Sequence, residues 1–295
     1  MRMVLQRFSH AVAIAAAAVS CVPATENAAA SEVEQALTGY QIVTVETAVS
    51  TLSSKQLVAS CPAGTRVFGA GWAVLDSTGA ILEGVATYFE PRSDGSGWLM
   101  NARNASSFAS SWKLQVRLQC GAAPAGYEIV NVETALATGS FKQLQAACPA
   151  GKVTLGAGWS VVDTTRVILD GEAQFFQFNG NDWLINATSN AGATPWKLQS
   201  LVICANASAI SGYEIVTLDT PVDASGTKWS TAVCPAGKKP TSLGWGVLDP
   251  TSAILDGRAT FSMAAFDGAS WLTFAHNRSS FAPTWKLRTQ VVCTL

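Results

Sequence analysis

Residues 61–76 read CPAGTRVFGAGWAVLD, residues 148–163 read CPAGKVTLGAGWSVVD, and residues 234–249 read CPAGKKPTSLGWGVLD. One phrase, running from a cysteine through a tryptophan to an aspartate, is written three times. It is either a site presented in triplicate or the folding core of a small module that was copied. Its apolar period is two: Phe68, Ala70, Trp72 and Val74 alternate with Val67, Gly69, Gly71 and Ala73. One face of the strand is bulky and the other nearly bare. A glycine pair on the bare face lets another strand or ring approach closely, or admits a bulge. These are the needs of a scaffold, and the phrase reads as folding core.

Working outward, Tyr40, Tyr127 and Tyr213 open GYQIV, GYEIV and GYEIV at spacings of 87 and 86 residues. Further tryptophans follow a Gly, Asp and Asn-rich turn (Trp98, Trp183, Trp271) or open WKL (Trp112, Trp196, Trp285). So long a period means one domain per copy rather than a short solenoid repeat. The spacing predicts modules over 39–121, 126–205 and 212–295, joined by the short linkers GAAPA and ANASAIS. In WKLQVRLQC, Trp112, Leu114, Val116, Leu118 and Cys120 share one face, opposite Lys113, Gln115, Arg117 and Gln119, which predicts a half-buried strand. About six such strands per unit, with no sustained helical stripe, must close on themselves to bury one side of each sheet. The expected fold class is all-β, as three tandem, disulfide-pinned, sandwich-like modules. The alternative is a single pseudo-threefold β assembly.

Six of the seven cysteines fall two to a repeat, Cys61 with Cys120, Cys148 with Cys204 and Cys234 with Cys293, leaving Cys21 alone. Paired disulfides belong to an oxidising compartment, and the N-terminus agrees. MRMVLQR precedes the apolar run FSHAVAIAAAAVS, the layout of an export signal over residues 1–20, followed by an Ala-rich tether over 21–38. Cleavage after Ala28-Ala29-Ala30 would release the chain. Cleavage before Cys21 in AVSC, which resembles a lipobox with Ala18 where Leu is usual, would leave Cys21 for lipidation. Either route predicts a secreted or envelope location, with the membrane reached only through that anchor.

The pattern CPAG…GxGW…D, with its GYEIV opening and closing cysteine, resembles β-repeat modules of secreted bacterial proteins whose function is not established. The resemblance covers nearly all of residues 39–295 and implies export and a β-module, but no activity. The third copy departs from it, with SLGW in place of GAGW.

A net charge of −1 and 13% charged residues give no electrostatic field for nucleic acid or an anionic surface. Candidate chemistry is confined to recurrent positions. Asp76 with Glu83, Asp163 with Asp170, and Asp249 with Asp256 could each hold Ca²⁺ or act as acid and base in glycoside hydrolysis. The first aspartate of each pair equally suits capping of its own turn. Trp72, Trp112 and their counterparts read as core. Trp98, Trp183 and Trp271 follow flexible turns that could present a ring to a sugar. Lys55, Lys142 and Lys228 read as solvated positions. His276 is the sole histidine beyond the leader, so a histidine-based triad is confined to one copy. The function expected is therefore a non-catalytic protein binding polysaccharide or cell-surface glycan, with calcium the one cofactor considered. The alternatives are an extracellular hydrolase built on the acid pairs and a purely structural envelope protein. Oligomeric state is not legible.

Overall fold

Alternating large and small side chains specify strands, and strands are what the chain forms. The structure is a computed structural model describing residues 36–295 apart from positions 108, 191, 193 and 266. The expected export signal, Cys21 and the expected tether up to residue 35 lie outside the described residues. The first repeat forms β1 (Gln41–Glu46), β2 (Ser54–Ser60), β3 (Arg66–Asp76), β4 (Ile81–Leu82), β5 (Gly84–Pro91), β6 (Gly97–Asn104) and β7 (Trp112–Gly121). The second forms β8 (Glu128–Glu133), β9 (Phe141–Ala146), β10 (Lys152–Val162), β11 (Ile168–Leu169), β12 (Gly171–Asn179), β13 (Asp182–Ser189) and β14 (Lys197–Asn206). The third forms β15 (Glu214–Asp219), β16 (Thr227–Val233), β17 (Lys239–Leu248), β18 (Gly257–Ala264), β19 (Ser270–Asn277) and β20 (Lys286–Thr294). The all-β class is as expected.

The arrangement of the repeats is the pseudo-threefold one, and not beads in a row. Each repeat splits into two half-sheets, and each half joins a half from a neighbour. The first sheet runs β1-β7-β3-β18-β19-β16, with β4 on β3; the second runs β2-β6-β5-β10-β14-β8, with β11 on β10; the third runs β15-β20-β17-β12-β13-β9. Repeat 1 therefore pairs with repeat 3, repeat 2 with repeat 1, and repeat 3 with repeat 2, which closes a ring. Each seam is an antiparallel pairing made at the tryptophan of the repeated phrase: Trp72 with Ser262, Trp159 with Phe89, and Trp245 with Phe176. One continuous hydrophobic core runs through all three repeats, and the three form a single compact unit.

The bare face of the phrase explains the ring. A Cβ on Gly71 would lie 2.4 Å from the Met263 Cα, and one on Gly158 would lie 2.5 Å from the Glu90 Cα. The second glycine is thus where the neighbouring repeat's strand crosses. The first glycine packs the three long strands around the pseudo-axis: a Cβ on Gly69 would meet the Thr241 carbonyl at 2.1 Å, and one on Gly156 the Phe68 carbonyl at 2.3 Å. Copy 3 carries Ser242 there, and its Cβ is the one both glycines face.

Polar groups cross the same boundaries. Tyr40 Oη donates to the Pro240 carbonyl and Tyr127 Oη to that of Val67, at 2.7 and 2.8 Å. Every boundary also carries an ion pair: Glu83 with Arg258 at 2.5 Å, Asp170 with Arg103 at 3.3 Å, and Glu172 with Arg278. The last strand of repeat 1 is buried on both faces, because Gln115, Arg117 and Gln119 lie under neighbouring structure. Arg117 Nη1 donates across the seam to the Ala264 carbonyl at 2.7 Å. The half-exposed expectation for this strand holds only at Lys113, which is half-buried, and fails at Arg117, which is drawn across the seam to another repeat.

Disulfides Cys61–Cys120, Cys148–Cys204 and Cys234–Cys293 form as paired in the sequence. Each ties the half-sheet holding the repeat's second strand to the one holding its last. They fit an oxidising, extracellular compartment. Among the described residues, no helix is long and apolar enough to cross a membrane.

The turn after each long strand needs a left-handed residue, supplied by Gly79 (φ 90°) in copy 1 but by Arg166 (φ 65°) and Ser252 (φ 72°) in the others. A non-glycine residue there costs about 1 kcal/mol. Ser252→Gly is accordingly expected to raise stability by about that amount, read from the denaturant midpoint at unchanged slope.

Candidate functional site

The recurrent residues are structural. Trp98, Trp183 and Trp271 have no exposed surface (0%). Trp98 packs on Phe89, and Trp183 on Phe176 and Phe178, with ring centroids 4.0–4.8 Å apart. Trp271 Nε1 donates to Ser262 Oγ at 3.1 Å. The expectation that these three indoles contact ligand is corrected: each preceding turn has exposed residues, as at Asp94, Asn181 and Asp267, but strand alternation sends the ring inward.

The acid pairs do not converge either. Asp76 Oδ1 accepts from the Thr78 N–H, the Thr78 hydroxyl and the Ala80 N–H at 2.7–2.9 Å. Asp163 does the same with Thr165 and Val167, and Asp249 with Thr251 and Ala253. These bonds hold the three carboxyls below the usual range, the threonine hydroxyl contributing most at Asp76 and Asp249 and the Val167 amide most at Asp163. Of the second acids, Glu83 and Asp170 face arginines of neighbouring repeats, as above. Asp256 is half-buried, and its backbone carbonyl accepts from the Arg278 N–H. The pairing of Asp76 with Glu83, and of its counterparts, as a calcium cage or a catalytic dyad is corrected, because the first aspartate of every pair is spent on its own turn and Glu83 and Asp170 are paired with arginines of neighbouring repeats. No cluster of three or more His, Cys, Asp or Glu suited to a metal occurs among the described residues.

Lys55, Lys142 and Lys228 are also corrected from solvated to structural. Their ammonium groups sit 5.0, 5.0 and 5.1 Å from the rings of Trp112, Trp196 and Trp285. Lys55 Nζ donates to the Ala48 carbonyl at 2.6 Å and Lys142 Nζ to the Ala135 carbonyl at 2.7 Å. Burial lowers the pKa of both. Each is a desolvated cation over an indole face.

Where the tryptophans of the phrase converge near the pseudo-axis, Trp72, Trp159 and Trp245 line a cavity of about 30 Å³ beside Ser262, which replaces the phenylalanine of the other copies (Phe89, Phe176). Such a space holds about two waters and no larger ligand.

What remains are apolar residues particular to copy 3, three of which collect on the outer face of the first sheet. Gln56 and Gln143 become Trp229 in copy 3; Asn101 and Asn186 become Phe274; Glu90 and Gln177 become Met263. Trp229 pairs with Phe274 across β16 and β19, and Phe274 with Phe261 across β19 and β18. The Trp229 centroid is 4.9 Å from that of Phe261 and 4.8 Å from that of Phe274. Ala73, Leu75, Phe261 and Met263 form a cluster separate from the main core, with Leu272 and Phe274 packed on it. Trp229 stands on this floor with 56% of its surface exposed. Burial lowers the pKa of His276, which meets Phe274 edge-on. Nine of the ten tryptophans recur at repeat positions and the tenth is Trp229. That was the available signal, and counting by repeat would have found it.

No protein-family model matches the chain, and no curated protein is significantly similar to it. The site therefore rests on its own geometry.

The equivalent face of the second sheet is polar by comparison, with Gln56, Asn101 and Glu90 at the three positions. Gln199 Nε2 donates to Glu90 Oε2 at 3.2 Å, and burial pushes the Glu90 carboxyl above its ordinary range. A raised folded-state pKa means the fold binds the proton more tightly than the unfolded chain. The stabilisation is complete below the ordinary carboxylate range of about 4 and is lost as pH rises through the raised value. Glu90→Gln, which places the Gln177 chemistry of copy 2 there, is expected to raise the melting temperature at pH 7 and to remove that dependence, as a pH series of thermal melts would show.

Proposed function

We propose that the protein is a secreted or surface-anchored, non-catalytic binding protein that attaches to a polysaccharide or cell-surface glycan through the outer face of the first sheet. The observation that carries this reading is Trp229: it is the one indole outside the repeat pattern, it is more than half exposed, and it is braced by Phe261 and by Phe274, the latter standing where the sister faces carry Asn101 and Asn186. An indole held this way offers an apolar ring face to the C–H groups of a sugar. Anchoring through Cys21, or release after Ala30, would present it outside the cell.

The test is depletion from solution by insoluble polysaccharides and cell-wall preparations. Wild type is compared with Trp229→Gln/Phe274→Asn, which restores the residues of copies 1 and 2. The variant is expected to fold normally and to lose retention. Because the first aspartate of each pair is spent on its own turn, retention is expected to be equal in calcium and in EDTA. Equal retention of wild type and variant on every support would overturn the reading.

A further inference from the structure

We infer that the glycan taken by this face is an uncharged chain lying extended across the strands, from Trp229 on β16 to Ile81 beside β3; the inference rests on the glycan-binding reading above. The apolar surface is a line and not a pit. From Trp229 it passes over Phe274 and Phe261 to Leu272 and Met263, and then enters an open groove of about 400 Å³ that reaches Leu75 and Ile81. From β16 to Leu75 on β3 the path crosses three strand spacings, or roughly 14 Å, which exceeds one hexose ring and suits several in a row. Trp229 and Ile81 mark its ends as exposed apolar side chains, 56% and 39% accessible. Exposed Thr227 and Thr231 flank the indole on the same face of β16, supplying hydroxyls for a polar, hydroxyl-bearing ligand where a lipid would need none.

Charge decides the class of chain. The charged residues lining the groove are Glu46, Lys113 and Arg117. Lys113 Nζ and Glu46 Oε2 are 2.6 Å apart, and Arg117 already donates to the Ala264 carbonyl. Lys113 is neutralised by Glu46 and Arg117 is buried, with 5% of its surface accessible, so among the described residues lining the groove no cation is both exposed and unpaired to meet an acidic polymer. An uncharged polymer loses nothing by lying on such a surface, whereas an anionic one would be desolvated without compensation.

The experiment uses the full chain with microcrystalline cellulose and chitin as uncharged supports, alginate and polygalacturonate as acidic ones, and soluble β-linked oligomers of increasing length in calorimetry. Retention is expected on uncharged supports, insensitive to salt, with affinity rising from the disaccharide to longer oligomers. Trp229→Gln/Phe274→Asn is expected to weaken binding about tenfold or more, the scale of one lost aromatic contact. Ile81→Ser is expected to weaken only the longer oligomers. Salt-sensitive retention on acidic supports alone, or an affinity already complete at the monosaccharide, would sink the extended uncharged chain while leaving glycan binding intact. No retention on any support would remove the glycan-binding reading itself. A dimer in sedimentation that the double variant dissociates would assign the face to a second copy instead.

Discussion

Gly71→Val is expected to destabilise the protein by at least about 3 kcal/mol, the upper end of what overpacking costs, and to open the seam between repeats 1 and 3. The atoms that a side chain at position 71 would strike are backbone: the Met263 Cα at 2.4 Å and the Ser262 carbonyl at 2.6 Å. No rotamer change relieves them, so β3 and β18 must separate. With them goes the pairing of Trp72 with Ser262 and the burial of the tryptophan beneath it. Gly226→Ala is the control, since a Cβ there meets nothing within 4 Å. Guanidinium denaturation of the two variants beside wild type gives the comparison, and a midpoint for Gly71→Val within error of wild type would show that the seam does not hold the ring. Gly69→Ser makes the same point by asymmetry. Serine is native at the equivalent Ser242, yet at position 69 its Cβ would fall 2.1 Å from the Thr241 carbonyl. The pseudo-axis has room for one such group, and copy 3 already provides it.

The glycine pair shows how far the sequence could be read. Period-two alternation was enough to place Trp72, Trp112, Leu114 and Leu118 in the core, and cysteine spacing was enough to pair the disulfides. Alternation states which side of a strand is buried, but it is silent on whose strand covers it. A bare glycine face announced a close approach without naming the partner, which turned out to be another repeat. Lys55 carried a usable signal: in SKQLVAS it shares its face with Leu57 and Ala59, both buried. A charged side chain argues for solvent where its period argues for the core, and the ring of Trp112 that accepts the ammonium lies far along the chain. At Trp98, Trp183 and Trp271 the strand, and not the flexible turn before it, sets the direction of the ring. The candidate site was legible only by subtraction. Once three copies account for nine tryptophans, the tenth is conspicuous, but the neighbours that make it a platform come from β18 and β19, and no spacing announces that.

Removing one disulfide, as in Cys61→Ala/Cys120→Ala, is expected to cost about 4 kcal/mol, the chain-entropy value for a loop of this size. The bridged residues lie 59 positions apart, so the unfolded chain regains a large closed loop when the bridge is lost. The native state loses less than the position of the bond suggests. Cys61 and Cys120 join two different sheets, but the ring is still closed by the seams at Trp72, Trp159 and Trp245. The single-bridge variant should therefore unfold in one transition at lower denaturant, and a separately melting repeat 1 would show instead that the repeats are independent. Bridges of 56 and 59 residues close the other two copies. Reduction of all three should remove about 12 kcal/mol, which is comparable to the entire stability of an ordinary domain. Full reduction is thus expected to unfold the protein at room temperature, with its nine recurrent indoles moving into water and their fluorescence shifting to the red. Retention of the folded spectrum in strong reductant would mean that the seams and the shared core hold the ring without covalent help.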